Sequence, residues 1–338
     1  MVQPMKILFA GTPEPAAVTL EYLLSGSEHE VVAVLTQPDA RRGRGRSLHP
    51  SKVAEVAEAH GVPVHKFASL KPGHEDADEV RSILHGYAAD GVAAVAVVAY
   101  GQILPEDVLG IFTHGWINLH FSLLPRWRGA APVQAAIAAG DETTGATTFR
   151  IVPALDAGPV TGEVTETIGV ENTADDLLTR LTYSGRVLLA DTLSGLESGA
   201  VVPEPQSEEE STYAAKISSA DARVDWREPA VVVQRTARAH TPAPGPWTQL
   251  DGERYKLGLM LPVGDGDTAG PDGGLRPGQL HAAKDALLVG TGEGILEITR
   301  IQPPGKKMMA AADWARGRAD LFGDDRTVVF DSTAEGES

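Results

Sequence analysis

Short runs of β-branched and aliphatic residues alternate with helical patterns from Lys6 to about residue 150, and this alternation limits the possible folds more than any other feature. The predicted strands are KILFA, VVAVLT, VAAVAVV and WINL, and the predicted helices lie near residues 14–25, 51–60, 74–85 and 131–139. Near-continuous apolar strands that alternate with helices are typical of a parallel sheet covered on both faces. The sequence therefore predicts a doubly wound α/β domain.

The chain continues with more strands, a long helix and a connecting segment. Residues 146–168 contain the strand patterns ATTFRIV and VTGEVTETI, and Thr173 with Asp176 marks the start of a long leucine-rich helix. The stretch GAVVPEPQSEEEST at residues 199–212 has two prolines and an acidic run, which is typical of an exposed linker. We therefore assign residues 5–198 to the α/β domain and the next fourteen residues to a linker.

A second domain follows the linker. A helical pattern near residues 228–239 precedes the short strands RYKLGLML, GQLHAA, ALLVGT and ILEITRIQ, which are separated by Gly- and Pro-rich turns. Several short strands with such turns indicate a small β-barrel, which we assign to residues 213–318. The polar, acidic residues 319–338 predict a tail that frays.

The sequence contains no cysteine, which excludes disulfides, thiolate metal sites and cysteine nucleophiles. No apolar run approaches the roughly 20 residues that span a bilayer, and the first residues lack the cleavage pattern of a signal peptide. The histidines show no close spacing of the kind that metal ligands have. We therefore expect a cytoplasmic protein with no metal and no membrane partner.

Charge is distributed unevenly along this acidic chain. The net charge of −17 argues against indiscriminate coating of nucleic acid, which requires a broad basic surface. Residues 1–206 contain 14 Lys and Arg against 25 Asp and Glu, whereas residues 212–318 contain 14 against 12. One basic, glycine-rich loop, PDARRGRGRSLHPSK, contains Arg41, Arg42, Arg44 and Arg46. This loop is either a solvated charge run or a contact for RNA phosphates, and its acidic surroundings favour RNA.

An amide and an imidazole interrupt the apolar stretch WINLHFSLLPRWRG at residues 116–129. Because alternate residues of a strand share a face, Asn118 and His120 are expected to point the same way. They close a strand at its carboxyl end, where open α/β sheets bind ligands. Both side chains could instead satisfy backbone groups at the strand end. The position at the carboxyl end favours a functional pair.

Asp156 lies in the loop PALDAGP, where Pro153, Gly158 and Pro159 restrict the backbone. An aspartate in a surface turn is the simpler interpretation, since aspartate favours turns. If the carboxylate meets His120, it fixes the imidazole tautomer and raises the pKa of the ring. An amide donor, an imidazole and a carboxylate then suit acyl-type transfer without a covalent intermediate.

Three further loops bear on the chemistry. FAGTPEP lacks the GxGxxG spacing, which argues against a nicotinamide dehydrogenase. Ser122 has no GxSxG elbow around it, so we interpret its hydroxyl as part of a turn. VVAYGQILP places Tyr100, Gly101 and Gln102 after another strand, where they either line a pocket for a flat ring or fill a loop.

Taken together, the motifs resemble the methionyl-tRNA formyltransferase family of 10-formyltetrahydrofolate-dependent enzymes. The resemblance rests on MKILFAGTPEPA, QPDARRGRGRSLHPS, YGQILP, NLHFSLLPRWRGAAP and LDAGP, and later on APGPWT and IQPPGKKMMAAADWARG. The Asn, the His, the SLLP turn and the Asp are common to formyl transferases that use this donor, whereas the basic loop and the second domain indicate the enzyme that acts on transfer RNA. The resemblance implies a Rossmann-like domain followed by a barrel similar to an OB-fold.

The resemblance also implies a reaction and the residues that perform it. The co-substrate 10-formyltetrahydrofolate would give its formyl group to the α-amino group of methionine on initiator tRNA, and the transfer would need no metal. The product, formylmethionyl-tRNA, would serve translation initiation. Asn118 and protonated His120 would meet the negative charge on the formyl oxygen, and Asp156 would orient the imidazole. The folate is expected against Ser122, Leu123, Leu124 and Pro125 and against Tyr100, Gly101, Gln102 and Ile103. RNA is expected to contact Arg41, Arg42, Arg44, Arg46, Lys306 and Lys307. The protein is expected to act as a monomer.

Two rival functions stay open on the sequence alone. A formyltransferase that acts on a nucleotide sugar, a purine precursor or another small amine would keep Asn118, His120 and Asp156 but would have no use for the arginine loop. A noncatalytic RNA-binding protein would need the barrel and the loop but not Asn118.

Overall fold

The computed structural model describes residues 4–42, 47–264, 274–323 and 326–331, with Arg42 described by its backbone alone. The chain divides into two compact units. The first consists of Met1–Pro132, Thr143–Thr167 and Leu178–Ala215, and the second of Val133–Glu142, Ile168–Leu177 and Lys216–Ser338. None of the described helices combines the length and the apolar character needed to cross a membrane.

Short strands and helices alternate through the first unit, and short strands dominate the second. The strands are β1 (Lys6–Gly11), β2 (Glu30–Thr36), β3 (Ala40–Arg42), β4 (Ser47–His49), β5 (Val64–Lys66), β6 (Ala94–Val98), β7 (Gly115–His120), β8 (Arg128–Gly129), β9 (Thr143–Arg150), β10 (Val160–Thr167), β11 (Tyr213–Ala214), β12 (Trp247–Leu250), β13 (Glu253–Leu257), β14 (Met260–Pro262), β15 (Gln279–Ala282), β16 (Leu287–Gly290), β17 (Ile295–Ile298), β18 (Arg300–Gln302), β19 (Met309–Ala310) and β20 (Val328–Val329). The helices are α1 (Glu14–Ser25), α2 (Lys52–Ala59), α3 (Ala77–Ala89), α4 (Glu106–Leu109), α5 (Pro132–Ala139), α6 (Ala174–Ser198), α7 (Ala230–Ala239), α8 (Ala311–Arg316) and α9 (Ala319–Phe322).

A twisted sheet organises the first unit, in the strand order β10, β9, β7, β6, β1, β2, β5. The strands from β7 to β5 run parallel, and β9 and β10 continue the sheet in antiparallel pairing. Strand β6, with the sequence AVAVV, is buried along its whole length, as expected for a strand covered on both faces. The chain order reverses beside β1, and ligands of open α/β sheets bind beyond the carboxyl ends of the strands at such a reversal.

The predicted doubly wound α/β domain is confirmed by this sheet. The four predicted strands correspond to β1, β2, β6 and β7, and the four predicted helices to α1, α2, α3 and α5. Helix α3 begins at Ala77 and not near residue 74, because the preceding residues form turns in which the His74 N–H donates to the Lys71 carbonyl.

The segment that was interpreted as an exposed linker, residues 199–212, is bound to the first unit. Glu204 and Val160 of β10 exchange two backbone hydrogen bonds of 2.7 and 2.8 Å. The fully buried Arg128 donates two hydrogen bonds of 3.0 Å to the carboxylate of Glu208, inside the acidic run. The linker interpretation is corrected accordingly: the sequence pattern does not reveal that a buried guanidinium needs this carboxylate as its partner.

The second unit contains two antiparallel sheets, with the strand orders β12, β13, β18, β19 and β14, β17, β16, β15, β20. Both sheets contribute to one core, in which Leu257, Leu296, Trp226 and Trp314 are buried. The structure thus agrees with the predicted α/β domain followed by a smaller domain of short antiparallel strands.

The prediction of a fraying tail from residue 319 is wrong for residues 319–323 and 326–331. Helix α9 forms there, and β20 pairs with β15. Phe330 is fully buried and stacks on Trp226 with ring centroids 5.6 Å apart. Burial of a phenylalanine contributes about 2 kcal/mol, and Val328 is buried in the same core, so these apolar side chains anchor the segment. Residues 324–325 and 332–338 of the predicted tail lie outside the described residues.

The ends of the basic loop form a short antiparallel ribbon. Strand β3 pairs with β4, with Arg41 opposite Leu48, so part of the segment described above as a loop has regular structure. Arg41 is exposed. The side chain of Arg42 and all of Arg44 and Arg46 lie outside the described residues.

Candidate active site

A cleft of about 690 Å³ opens beyond the carboxyl ends of β6 and β7, within the first unit. Val97 of β6 and residues 99–104 after it line the cleft, together with residues 118–121 of β7 and its extension and the loop at residues 151–156. Gly129, Ala130 and Pro132 complete the lining. The volume is within the range that small-molecule sites occupy, roughly 300 to 1,000 Å³.

The side chains of Asn118 and His120 share one face of β7, as the strand period predicts. Leu119, between them, points to the opposite face, where it lies against Gly185 of α6. The ring of His120 meets Phe149 of β9 edge-on, with centroids 6.4 Å apart. Within the described part of the chain, the side-chain amide of Asn118 has no hydrogen-bond partner, so its donors are available to a ligand in the cleft.

A backbone carbonyl fixes the tautomer of His120. Nε2 of the imidazole lies 2.9 Å from the carbonyl oxygen of Trp127, and because a carbonyl can only accept, Nε2 carries the proton. The lone pair of the neutral ring is therefore on Nδ1, which faces Oδ2 of Asp156 at 3.8 Å. This separation exceeds a direct hydrogen bond. Trp127 therefore orients the ring, a role that the sequence analysis gave to Asp156 alone.

Burial lowers the pKa of His120, because the side chain is almost completely removed from water. The Asp156 carboxylate and the Trp127 carbonyl act in the opposite direction and raise it, but burial is the larger effect. Asp156 thus acts on the pKa in the expected direction, but the net lowering corrects the expectation that a protonated His120 would meet the oxyanion. The imidazole is neutral near pH 7 and can accept a proton on Nδ1.

We expect NMR titration of the histidine ring protons to give His120 a pKa below the ordinary value of about 6.5. In Asp156→Asn the pKa should fall further, because the charge that favours the imidazolium is gone while the burial is kept. Asp107→Asn is the matched control, since it removes a carboxylate that pairs with Arg81 and should leave His120 unchanged. An unchanged or higher His120 pKa in Asp156→Asn contradicts the interaction.

The loop around Asp156 is tightly held. Asp156 has a φ of +47°, in the left-handed region that residues other than glycine seldom occupy. Its Oδ2 accepts a 2.7 Å hydrogen bond from the backbone N–H of Gly129. Gly129 has a φ of +113° and approaches the carbonyl of Ala214 so closely that a Cβ would not fit. A glycine is therefore required at the position that anchors the carboxylate.

Tyr100, Gly101, Gln102 and Ile103 all line the cleft, as predicted for a ring-binding loop. Gln37 donates to the carbonyls of Tyr100 and Gly101 at 3.3 and 3.1 Å, and Gln102 donates to the carbonyls of Phe67 and Ala68. These hydrogen bonds from two side-chain amides hold the backbone of the loop in place. Tyr100 is buried, which raises the pKa of its phenol, and its hydroxyl has no hydrogen-bond partner among the described residues.

The SLLP turn does not line this cleft, although Ser122, Leu123, Leu124 and Pro125 were expected beside the folate. Ser122 is fully buried, and its hydroxyl donates to the carbonyl of Arg126 at 2.6 Å. Thr147 accepts from the Leu124 N–H and donates to the Ser122 carbonyl. The hydroxyl and the carbonyl of Ser122 thus both form hydrogen bonds that support the turn. The turn connects His120 to Trp127, whose carbonyl binds the imidazole.

Lys306 and Lys307, the other predicted RNA contacts, are exposed in the turn between β18 and β19. Gly305 has a φ of +68°, and Gln302 donates to the carbonyl of Lys306 at 2.9 Å. Both lysines belong to the second unit, whereas Arg41 belongs to the first.

Sequence reasoning missed the backbone groups of the site. The carbonyl of Trp127 and the N–H of Gly129 are backbone groups, which no residue type identifies in a sequence. Gly129 itself was the one available signal, because a glycine often stands where the backbone adopts a positive φ. Within the described part of the chain, no three His, Asp or Glu side chains are grouped in a way that could hold a metal ion.

The family model "Formyl transferase" matches residues 5–193, and the model "Formyl transferase, C-terminal domain" matches residues 216–319. The chain therefore belongs to the formyl transferase family. It is 60% identical over 331 residues to the methionyl-tRNA formyltransferase of Corynebacterium jeikeium, covering 98% of this chain and 100% of that protein. It is 61% identical over 318 residues to that of Corynebacterium urealyticum, covering 94% and 96%. Within the family, the chain belongs to the methionyl-tRNA formyltransferases, which confirms the resemblance found in the motifs.

A solved structure supports the fold. The N-formyltransferase from Helicobacter canadensis, in complex with folinic acid and dTDP-3-aminofucose, aligns with a TM-score of 0.63 at 15% identity, covering 87% of this chain and 98% of that chain. At this identity the likeness shows the fold alone.

Proposed function

We propose that this protein transfers the formyl group of 10-formyltetrahydrofolate to the α-amino group of methionine on initiator tRNA. The observation that carries the proposal is the grouping of Asn118, His120 and Asp156 around one cleft beyond the parallel strands. Identity of 60% to a methionyl-tRNA formyltransferase over nearly the whole chain supports the choice of substrate.

In this proposal Asn118 stabilises the negative charge that develops on the formyl oxygen. The amine nitrogen forms a bond to the formyl carbon, and the oxygen becomes an oxyanion until the bond from carbon to the donor nitrogen breaks. An amide whose donors are not used by the protein can bind this oxygen without breaking another hydrogen bond. The availability of the Asn118 amide in the cleft supports the role.

His120 accepts the proton that the attacking amine loses. The neutral ring, with Nε2–H bound to the Trp127 carbonyl, presents its lone pair on Nδ1. Once Nδ1 is protonated, the imidazolium faces the Oδ2 of Asp156, and their attraction stabilises the charged form in a site from which water is largely excluded. The proton then passes to the departing nitrogen of the folate.

The folate donor supplies a formyl group on a nitrogen that becomes a leaving group. The cleft beside Tyr100, Gly101, Gln102 and Ile103 has room for its ring system, and the backbone of this loop, fixed by Gln37 and Gln102, lines it. We propose these four residues as its binding loop, with the SLLP turn as the support behind the catalytic residues.

We further propose that the first domain both performs the chemistry and, through its basic loop, binds the acceptor end of the tRNA. Guanidinium groups bind phosphates and base edges, and Arg41, Arg42, Arg44 and Arg46 are the candidates. Lys306 and Lys307 add phosphate contacts from the second domain. A cytoplasmic location and a monomeric state remain predictions from the sequence.

A substrate comparison tests the function. We expect formyl transfer from 10-formyltetrahydrofolate to methionyl initiator tRNA, much slower transfer to methionyl elongator tRNA, and none to free methionine or to amino sugar nucleotides. The assay measures kcat/KM for each acceptor with labelled formyl donor. Equal rates on both tRNAs contradict initiator specificity, and activity confined to small amines would establish the rival formyltransferase.

A further inference from the structure

The side chain of Gln206 binds the loop that carries Asp156. Its Nε2 donates to the carbonyl of Asp156 at 2.9 Å and to the carbonyl of Gly158 at 2.7 Å. Both hydrogens of the amide are therefore used on two carbonyls of one short loop. Gln206 is half-buried and belongs to the segment that the sequence suggested was a solvated linker.

Arg128 fixes which way the amide of Gln206 points. Its Nε and Nη2 donate to Oε1 of Gln206 at 3.0 and 2.8 Å, and the same guanidinium binds Glu208. Because a guanidinium can only donate, it holds the oxygen of the amide and turns Nε2 towards the two carbonyls. The orientation of Gln206 is thus determined by its partners on both sides.

The backbone that Gln206 binds is one that needs external support. Asp156 adopts a left-handed φ, which costs an aspartate on the order of 1 kcal/mol, so the loop keeps this shape only where its surroundings impose it. Gly158 passes so close to the carbonyl of Arg150 that a side chain would not fit. Gln206 crosses this bend and joins its two ends.

We propose that Gln206, oriented by Arg128, is a positioning residue that holds the Asp156 carboxylate against His120. The inference rests on the proposed function for its effect on rate, but the geometry it predicts can be tested without activity. Gln206 does not itself line the cleft, and its side chain bonds to the Asp156 loop and to Arg128, so its effect on His120 passes through the backbone of Asp156.

Gln206→Glu is the most informative variant. A carboxylate has nearly the same shape and still accepts from Arg128, so the guanidinium keeps its partner. It cannot donate, however, and its charge repels the carbonyls of Asp156 and Gly158. We expect kcat to fall about 10- to 100-fold, the size of effect that a shift of about 1 Å in a catalytic group produces, with little change in the KM for folate.

Gln249→Glu is the matched control. Gln249 also accepts a hydrogen bond from an arginine, Nη2 of Arg223 at 3.1 Å, but it belongs to the second unit. It should leave kcat near that of the wild type. An equal loss in both variants would show a general effect of the added charge and overturn the proposal.

Coupling to Asp156 separates positioning from a merely structural role. In an Asp156→Asn background we expect Gln206→Glu to cost less than about threefold in kcat, because residues that act as one unit are not additive. Independent losses that multiply in the double variant would contradict the proposal.

Gln206→Met tests the geometry by NMR, since it is neutral, of similar length and without donors. If the carboxylate moves away from His120, the pKa of His120 should fall from its wild-type value towards the value in Asp156→Asn. A wild-type pKa in a folded Gln206→Met would refute the positioning role. If the wild type transfers no formyl group, the proposed function fails, whereas the NMR result still decides this inference.

Discussion

Asn118→Ala is expected to lower kcat for formyl transfer by about 100- to 1,000-fold, the usual cost of removing one oxyanion donor. The amide acts on charge that exists only during the reaction, so KM for both substrates should change little. Steady-state kinetics with methionyl initiator tRNA give kcat, and filter binding gives the affinity for the tRNA, which should equal that of the wild type.

Asn172→Ala provides the control for this variant. Asn172 accepts a backbone hydrogen bond from Gly169 and lines no part of the cleft, so kcat should stay near the wild-type value. If Asn118→Ala keeps more than about a tenth of the wild-type kcat, or loses tRNA affinity in proportion to activity, the oxyanion role is contradicted.

Replacement of Arg41, Arg42, Arg44 and Arg46 by glutamine should weaken tRNA binding on the order of 100-fold near physiological salt while leaving the chemical step intact. Phosphate contacts release counterions, so the plot of log affinity against log salt should become shallower by up to about four units of slope. Transfer at saturating tRNA should keep a kcat close to the wild type. Affinity measured over a salt series gives both quantities.

A charge-matched pair of variants tests the position of the charges. Arg41→Gln with Arg42→Gln removes two charges from the loop, and Lys6→Gln with Lys71→Gln removes two exposed charges elsewhere in the first unit. Only the loop pair should lose affinity and salt dependence. Equal losses of affinity in both pairs would mean that the net charge of the protein, and not the position of the loop arginines, determines its affinity for tRNA.

The strand period was enough to bring Asn118 and His120 to one face. An apolar run that carries polar residues two apart at its carboxyl end has few other arrangements in a parallel sheet. The sequence could not predict whether the Asp156 carboxylate lies close to His120. The loop at residues 151–156 reaches β7 through tertiary contacts, and a single sequence does not reveal such contacts. The proximity of Asp156 to His120 was established only by the structure.

Three features of the site and its support could not be predicted from the sequence. The carbonyl of Trp127 orients His120, and a backbone carbonyl has no residue type to identify it. The direction of the His120 pKa depends on whether burial or Asp156 is the larger effect, and the degree of burial comes from the packed structure. Gln206 was hidden for a third reason: Pro, Ser and Glu around it are typical of a solvated linker, while its own contacts are with Arg128 and the Asp156 loop.

The central claim is that the formyl group of the donor reacts beside Asn118, His120 and Asp156. The most direct measurement is a crystal structure of this protein with a hydrolysis-stable 10-formyl folate analogue. We predict that the formyl oxygen lies about 2.7 to 3.2 Å from the Asn118 amide nitrogen, with the ring system against residues 100–103. An analogue bound with its formyl group outside this cleft, beyond reach of all three side chains, would contradict the account.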